Sequence, residues 1–138
     1  MSRLYLPDTN IFIAALKGRA EIRERLEVES ATTIRLSTIV LGELEFGAEK
    51  SAYSERNRAL LSALARRLPL VGVDQNTTRH YARIRLHLER NGTPIGSNDT
   101  WIAAQALAID AIVVTDNLRE FSRVPDLRVE TWLQVRNN

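Results

Sequence analysis

Short apolar runs of strand length alternate along this chain with longer segments whose apolar positions recur at helical spacing. "RLYLP", from Arg3 to Pro7, predicts a strand, and Ile11 to Lys17 a short helix. "AEIRERLEVES" at 20–30 predicts a second helix, with Ile22, Leu26 and the stem of Arg25 along one side and charges on the other. The β-branched "TTIRLST" at 32–38 predicts a strand, followed by helices over 39–50 and 54–68. "LPLVGV" at 68–73 predicts another strand, and 75–90 a long helix stopped by Asn91-Gly92. The loop "NGTPIGSND" leads into "TWIAAQALAI", a helix apolar enough to be buried. "AIVVTDN" then predicts a continuous apolar strand, and "LRVETW" a last one.

Strands that alternate with helices and are apolar on both faces predict a mostly parallel sheet with helices on both sides. The expected architecture is a three-layer α/β/α fold, with residues 1–138 as one domain. Right-handed crossovers bring the carboxyl ends of all strands to one edge, where open α/β sheets hold their sites. Composition narrows the function classes. At 44% hydrophobic and 26% charged, the chain has no stretch near the roughly 20 apolar residues of a membrane span. Without cysteine, disulfide and thiolate-metal chemistry are excluded, and with no secretory leader pattern a cytoplasmic location is expected. Of the 19 basic residues only Lys17 and Lys50 are lysines. Arginine suits phosphate and base recognition, though a mixed-charge surface accounts for the imbalance equally well.

Four acids stand at that edge. Asp8 follows the first strand, Glu43 lies one turn into the helix after the second, Asp99 opens the apolar helix, and Asp116 follows "AIVVT". Each has a plain reading: Asp8 and Asp99 as helix caps, Asp116 as a turn residue, Glu43 as a surface side chain. Helical spacing places Glu43 on a stripe with Ile39, Phe46 and Gly47, expected to face inward, while Glu45, about 200° around the helix, is expected in solvent. Glu21, Glu24, Glu27 and Glu29 belong to a solvated face. Three of six aspartates at one sheet edge, beside an inward-facing glutamate, exceed what caps and turns require. Carboxylates crowded together call for a divalent hard cation, and all-oxygen ligands point to Mg²⁺ or Mn²⁺. The matching reaction is metal-assisted hydrolysis of a phosphodiester. His80 and His87, seven apart on one helix, are too distant for a zinc pair and are read as surface residues.

"LPDTNIFIAALKG", "STIVLGELEFGAEKS" and "GTPIGSNDTWIAAQALAIDAIVVTDNLREFSRVPDLRVETW" together resemble the PIN-domain ribonucleases, in particular the VapC toxins of bacterial toxin–antitoxin pairs. The likeness covers nearly the whole chain. It implies Mg²⁺- or Mn²⁺-dependent endoribonuclease activity, homodimerisation, and neutralisation by a cognate VapB antitoxin, with a structured RNA such as a transfer RNA as substrate. Asp8 matches the family's first acid, Glu43 the acid of its E-L-x-x-G pattern, and Asp99 the acid before I-A-A. The fourth position departs from the common pattern: Asn117 stands where many members have an acid, and Asp116 lies one residue early. Asp116 is expected to complete the site, with Asn117 as the alternative. Thr9, Asn10, Ser97 and Thr115 are candidate hydrogen-bonding supports. Tyr53, Leu60, Leu61 and Leu64 suggest a dimer or antitoxin surface as well as core packing. The rival reading is a non-catalytic PIN-like module that only binds RNA or protein. A receiver domain fits less well, since Asp8-Thr9-Asn10 lacks its acidic pair and no lysine follows Lys50.

Overall fold

A computed structural model of the chain describes residues 3–132. The first strand, β1 (Leu4–Pro7), pairs in parallel with β4 (Ala111–Val114), Leu4 opposite Ala111 and Pro7 opposite Val114. On its other side β4 pairs with β5 (Val129–Glu130), while β2 (Leu36–Ser37) and β3 (Leu70–Val71) form a second parallel ladder. A bridge between Tyr5 and Ile34, with the Arg35 amide donating to the Tyr5 carbonyl at 2.9 Å, joins the two ladders. The strand order is therefore β3-β2-β1-β4-β5, all parallel. Chain progression runs outward from β1 to β3 and then jumps back to β4, so the order reverses between β1 and β4. That reversal opens a crevice at their carboxyl ends.

Helices fill the crossovers: α1 (Thr9–Leu16) and α2 (Ala20–Thr33), then α3 (Thr38–Glu49) and α4 (Ser54–Arg67), then α5 (Gln75–Arg90) and α6 (Ser97–Ile109). The fold is the expected three-layer α/β/α arrangement. In α6, Thr100 and the run Ile102–Ala106 are all buried, because this helix is packed by α5, by α3 and by β4. Its small alanines let those neighbours approach closely. A capping box between Asp74 and Thr77 opens α5, and Gly92, at φ +67°, follows its end in the left-handed region that favours glycine. No helix among the described residues is long and apolar enough to cross a membrane.

Several sequence expectations change, among them the strands expected over 68–73 and 127–132, which shorten to Leu70–Val71 and Val129–Glu130. The predicted strand at 32–38 shrinks to Leu36–Ser37, because α2 continues to Thr33. The Thr33 hydroxyl donates to the Glu29 carbonyl four residues back at 2.5 Å, which lets a β-branched residue sit in a last helical turn. Along α3 the buried positions are Val40, Leu44 and Ala48, one residue on from the expected stripe, so Phe46 is 65% exposed rather than inward. A short helix, α7 (Leu118–Phe121), follows Asp116 in a stretch to which the sequence pattern assigns no element.

Gln105, fully buried in α6, ties the layers together. Its amide nitrogen donates to the Val71 and Gly72 carbonyls at 3.0 and 3.2 Å, and its carbonyl oxygen accepts from the Ser37 hydroxyl at 2.5 Å. Ser37 in turn caps α3, accepting from the Ile39 and Val40 amides. One side chain thus fixes the end of β3 and the start of the helix that carries Glu43. Gln105→Ala strands those partners and opens a cavity, so it is expected to cost about 2–4 kcal/mol in chemical denaturation. An unchanged unfolding midpoint would refute this tie.

Candidate active site at the switch point

Asp8 is a helix cap, as its plain reading has it, and its side chain also bonds to the segment that follows β4. One carboxylate oxygen accepts the Ile11 amide at 3.2 Å and so caps α1, while the other accepts the Thr115 hydroxyl at 2.5 Å. Thr115 follows β4, so this bond spans the crevice between the two central strands. Thr115 Oγ1 also accepts the Asn117 amide at 2.9 Å and turns the chain away from the strand. Asp8 is only 4% exposed, held where burial makes its charge expensive.

Around Asp8 lies a cavity of about 600 Å³ lined also by Thr9, Asn10, Glu43, Asp99 and Asn117, with Phe46, Gly47 and Lys50 at its α3 side. Three predicted acids therefore meet in one space from three distant segments. Each is delivered by its own element: Asp8 by the end of β1, Glu43 by the first turns of α3, Asp99 by the first turn of α6. Gly96 occupies the cap position of α6, and Asp99, three residues on in the first turn, lines the cavity. Of the two candidates for the fourth position, one faces the cavity. Asn117 lines the cavity, whereas Asp116 is exposed, though its charge is still felt by Asp8.

Glu120 is an acid that the sequence reading passes over. It accepts the Asn117 side-chain amide at 2.9 Å and lies close enough to Asp99 to share a hydrogen bond with it. Its signal was the three-residue spacing from Asn117, which α7 converts into a shared face. Ser97 lies elsewhere, lining a separate cavity with Tyr81 and Arg85. Glu45 is exposed as expected, and His80 and His87 do not line the acidic cavity.

The electrostatics are those of crowded carboxylates. Burial, assisted by the Asp116 charge, pushes Asp8 up to about 6 against the opposing bonds from Thr115 and the Ile11 amide. Burial also pushes Asp99 up to about 6, reinforced by the charges of Asp8, Glu120 and Glu43. Lys50 is the cation lining this cavity, and its ammonium sits over the Phe46 ring rather than on an acid. The Thr9 hydroxyl is buried and has no hydrogen-bond partner among the described residues. A hard divalent cation fits this donor set of carboxylates, amides and an orphaned hydroxyl. Among the described residues no three acids are gathered closely enough to form a ready ligand cluster for a metal ion.

The sequence matches the PIN domain family over residues 5–127. It is 41% identical over 129 residues to the tRNA(fMet)-specific endonuclease VapC of Salmonella typhimurium, covering 93% of this chain and 97% of that protein. This chain belongs to the PIN domain family. Ribonuclease VapC2 of Rickettsia felis is 37% identical over 131 residues, covering 94% of this chain and 98% of that one. Among solved structures, DNA-bound VapBC from Salmonella typhimurium superposes with a TM-score of 0.89 at 40% identity, covering 96% of this chain and all of that one. The acidic cavity described above is thus the switch-point crevice of a PIN domain.

The raised acids fix the sign of a pH effect. A group whose folded pKa lies above its unfolded value contributes stability that is complete below the unfolded value, here 3.8, and lost as pH rises through about 6. Asp99→Asn removes that titration. In chelator, the wild-type chain is therefore expected to lose about 1–3 kcal/mol relative to Asp99→Asn between pH 4 and pH 7. Thermal melts across that range check it, and a pH-independent difference would contradict the crowding.

Proposed function

We propose that this chain is a divalent-metal-dependent endoribonuclease of VapC type, cleaving RNA phosphodiesters at the crevice between β1 and β4. The observation that carries the reading is the meeting of Asp8, Glu43 and Asp99 in one cavity, with Asp8 and Asp99 both pushed up in pKa by burial and by neighbouring acids. These three carboxylates would hold Mg²⁺ or Mn²⁺, with Asn117 and Glu120 completing the set and Asp116 adding charge from outside. The cation supplies neutralisation of phosphoryl charge and lowers the pKa of a water at neutral pH. Thr115 holds Asp8 in place by its hydroxyl, and Asn117 orients Glu120 toward Asp99. The α6 dipole, positive at its start, favours the Asp99 carboxylate and an anionic substrate nearby.

The Salmonella relative is named for tRNA(fMet), which makes that transfer RNA the first substrate to test. Asp99→Asn is expected to lower cleavage on the order of 100-fold, with chelator abolishing cleavage by wild type. Titrating Mg²⁺ then separates the remaining groups: Glu120→Gln should raise the requirement more than Asp116→Asn. Full activity in Asp99→Asn would end the metal-site reading.

Solved relatives are VapBC pairs, and a VapB-like antitoxin is the protein partner in this reading. A groove of about 310 Å³ between α1, α2 and α4 suits it, lined by Leu16, Leu26, Leu60 and Leu64 and flanked by Arg23, Arg56 and Arg67. None of the three arginines makes an ion pair among the described residues. An apolar segment bordered by acids is the complementary ligand. Leu61 turns into the core, so the surface in question is Leu60 and Leu64, with Tyr53 exposed beyond them and available to a homodimer contact. Leu60→Asp is expected to weaken antitoxin binding about tenfold or more while RNA cleavage is unchanged. Titration calorimetry with the cognate antitoxin reads this, and unaltered affinity would exclude the groove.

A further inference from the structure

The α3 face beside the acids carries three features that packing does not account for. Phe46 lines the cavity and is 65% exposed, so its ring is accessible to whatever enters there. The Lys50 ammonium sits 4.8 Å from that ring's centroid and makes no ion pair among the described residues, although acids line the same cavity. Gly47 lines this cavity and the neighbouring one of about 340 Å³, which share it with Ile13 and Glu43.

Gly47 differs from Gly42 of the same helix in lining both cavities. It is not among the positive-φ residues, so its backbone does not demand glycine. A Cβ built on it would meet nothing within 4 Å, so packing does not demand glycine either. A glycine inside a helix weakens it relative to alanine, and what Gly47 provides in return is open space at the junction of two cavities.

We infer that Phe46, Gly47 and Lys50 form a nucleotide subsite for the residue of single-stranded RNA next to the cleaved phosphate, an inference that rests on the RNA-cleavage reading. One face of the Phe46 ring is covered by the Lys50 ammonium, and the other is available for a base to stack on. Lys50 meets the adjoining phosphate as a point charge and offsets the acids that would otherwise repel it. The gap at Gly47 lets the sugar–phosphate chain pass from one cavity into the next. Stacking accepts any base, so this subsite governs affinity and strand geometry rather than sequence choice.

Steady-state cleavage of a tRNA(fMet) transcript in Mg²⁺, with melting temperatures for every variant, tests the subsite. Phe46→Ala is expected to raise KM about tenfold with kcat nearly unchanged, and Phe46→Trp to restore it. Gly47→Ala is expected to raise KM similarly while melting no lower than wild type, a pairing that mere loss of structure cannot produce. Gly42→Ala, in the same helix and equally free of close neighbours, is expected to leave KM unchanged. Lys50→Ala should reduce the salt dependence of KM. If wild type cleaves but Phe46→Ala and Gly47→Ala keep its KM, the subsite is refuted. Loss of antitoxin binding in those two variants at unchanged KM would also refute it and assign the face to the protein partner. Failure of wild type to cleave either this transcript or total cellular RNA in Mg²⁺ would instead bring down the underlying RNA-cleavage reading, and the subsite with it.

Discussion

The hydrogen bond from the Thr115 hydroxyl to the Asp8 carboxylate is the constraint around which the rest is arranged. It closes the gap between β1 and β4 at the point where the strand order reverses. In-register pairing from Leu4–Ala111 to Pro7–Val114 carries both strands to the same height, and the Asp8 amide adds one more ladder bond to the Val114 carbonyl at 2.9 Å. Thr115 and Asp8 are then the first residues beyond the ladder on each side. A side-chain bond there costs little ordering entropy, because the backbone has already been fixed. The same carboxylate caps α1, so helix, strand and cavity share a single group.

That economy creates tension. Asp8 is buried, Asp99 faces it, and Glu43, Glu120 and Asp116 all contribute negative charge to the neighbourhood. Coulomb repulsion in a partly desolvated crevice opposes folding, and the fold bears it through strong supports elsewhere. Gln105 pins β3 and the Ser37 cap of α3, while Arg25, stacked over Trp132 at 4.7 Å and paired with Glu130 at 3.4 Å, docks α2 on the end of β5. An arrangement of this kind is poised to bind positive charge, because binding relieves strain already present in the folded state.

Much of the fold was legible from local pattern. Apolar runs such as Ala111–Val114 could only be buried strands, and the Asp74 and Asn91-Gly92 signals marked both ends of α5. Thr32 and Thr33 misled because β-branching argues for strand, whereas the Thr33 hydroxyl found a partner in its own helix. Phe46 misled for a different reason. Helical spacing identifies which residues share a face, but an aromatic on that face is assigned to the core by hydrophobicity alone, and here the buried face is the next one round, at Val40, Leu44 and Ala48.

The sequence by itself determined the alternating α/β order, the parallel sheet, the family resemblance and the three acids Asp8, Glu43 and Asp99 at one edge. Those are properties of residue type and spacing, which act locally along the chain. Only the tertiary structure decided that Asn117 rather than Asp116 lines the cavity, that Glu120 approaches Asp99, and that Phe46 stands open at its side. Each of these depends on where a turn leaves a strand or how far a helix is rotated. A one-residue shift in extended chain reverses a side chain's direction, and a rotation of about 100° moves it to a new helix face. Such angles are set by packing against segments distant in the chain, and no local stretch of residues contains them.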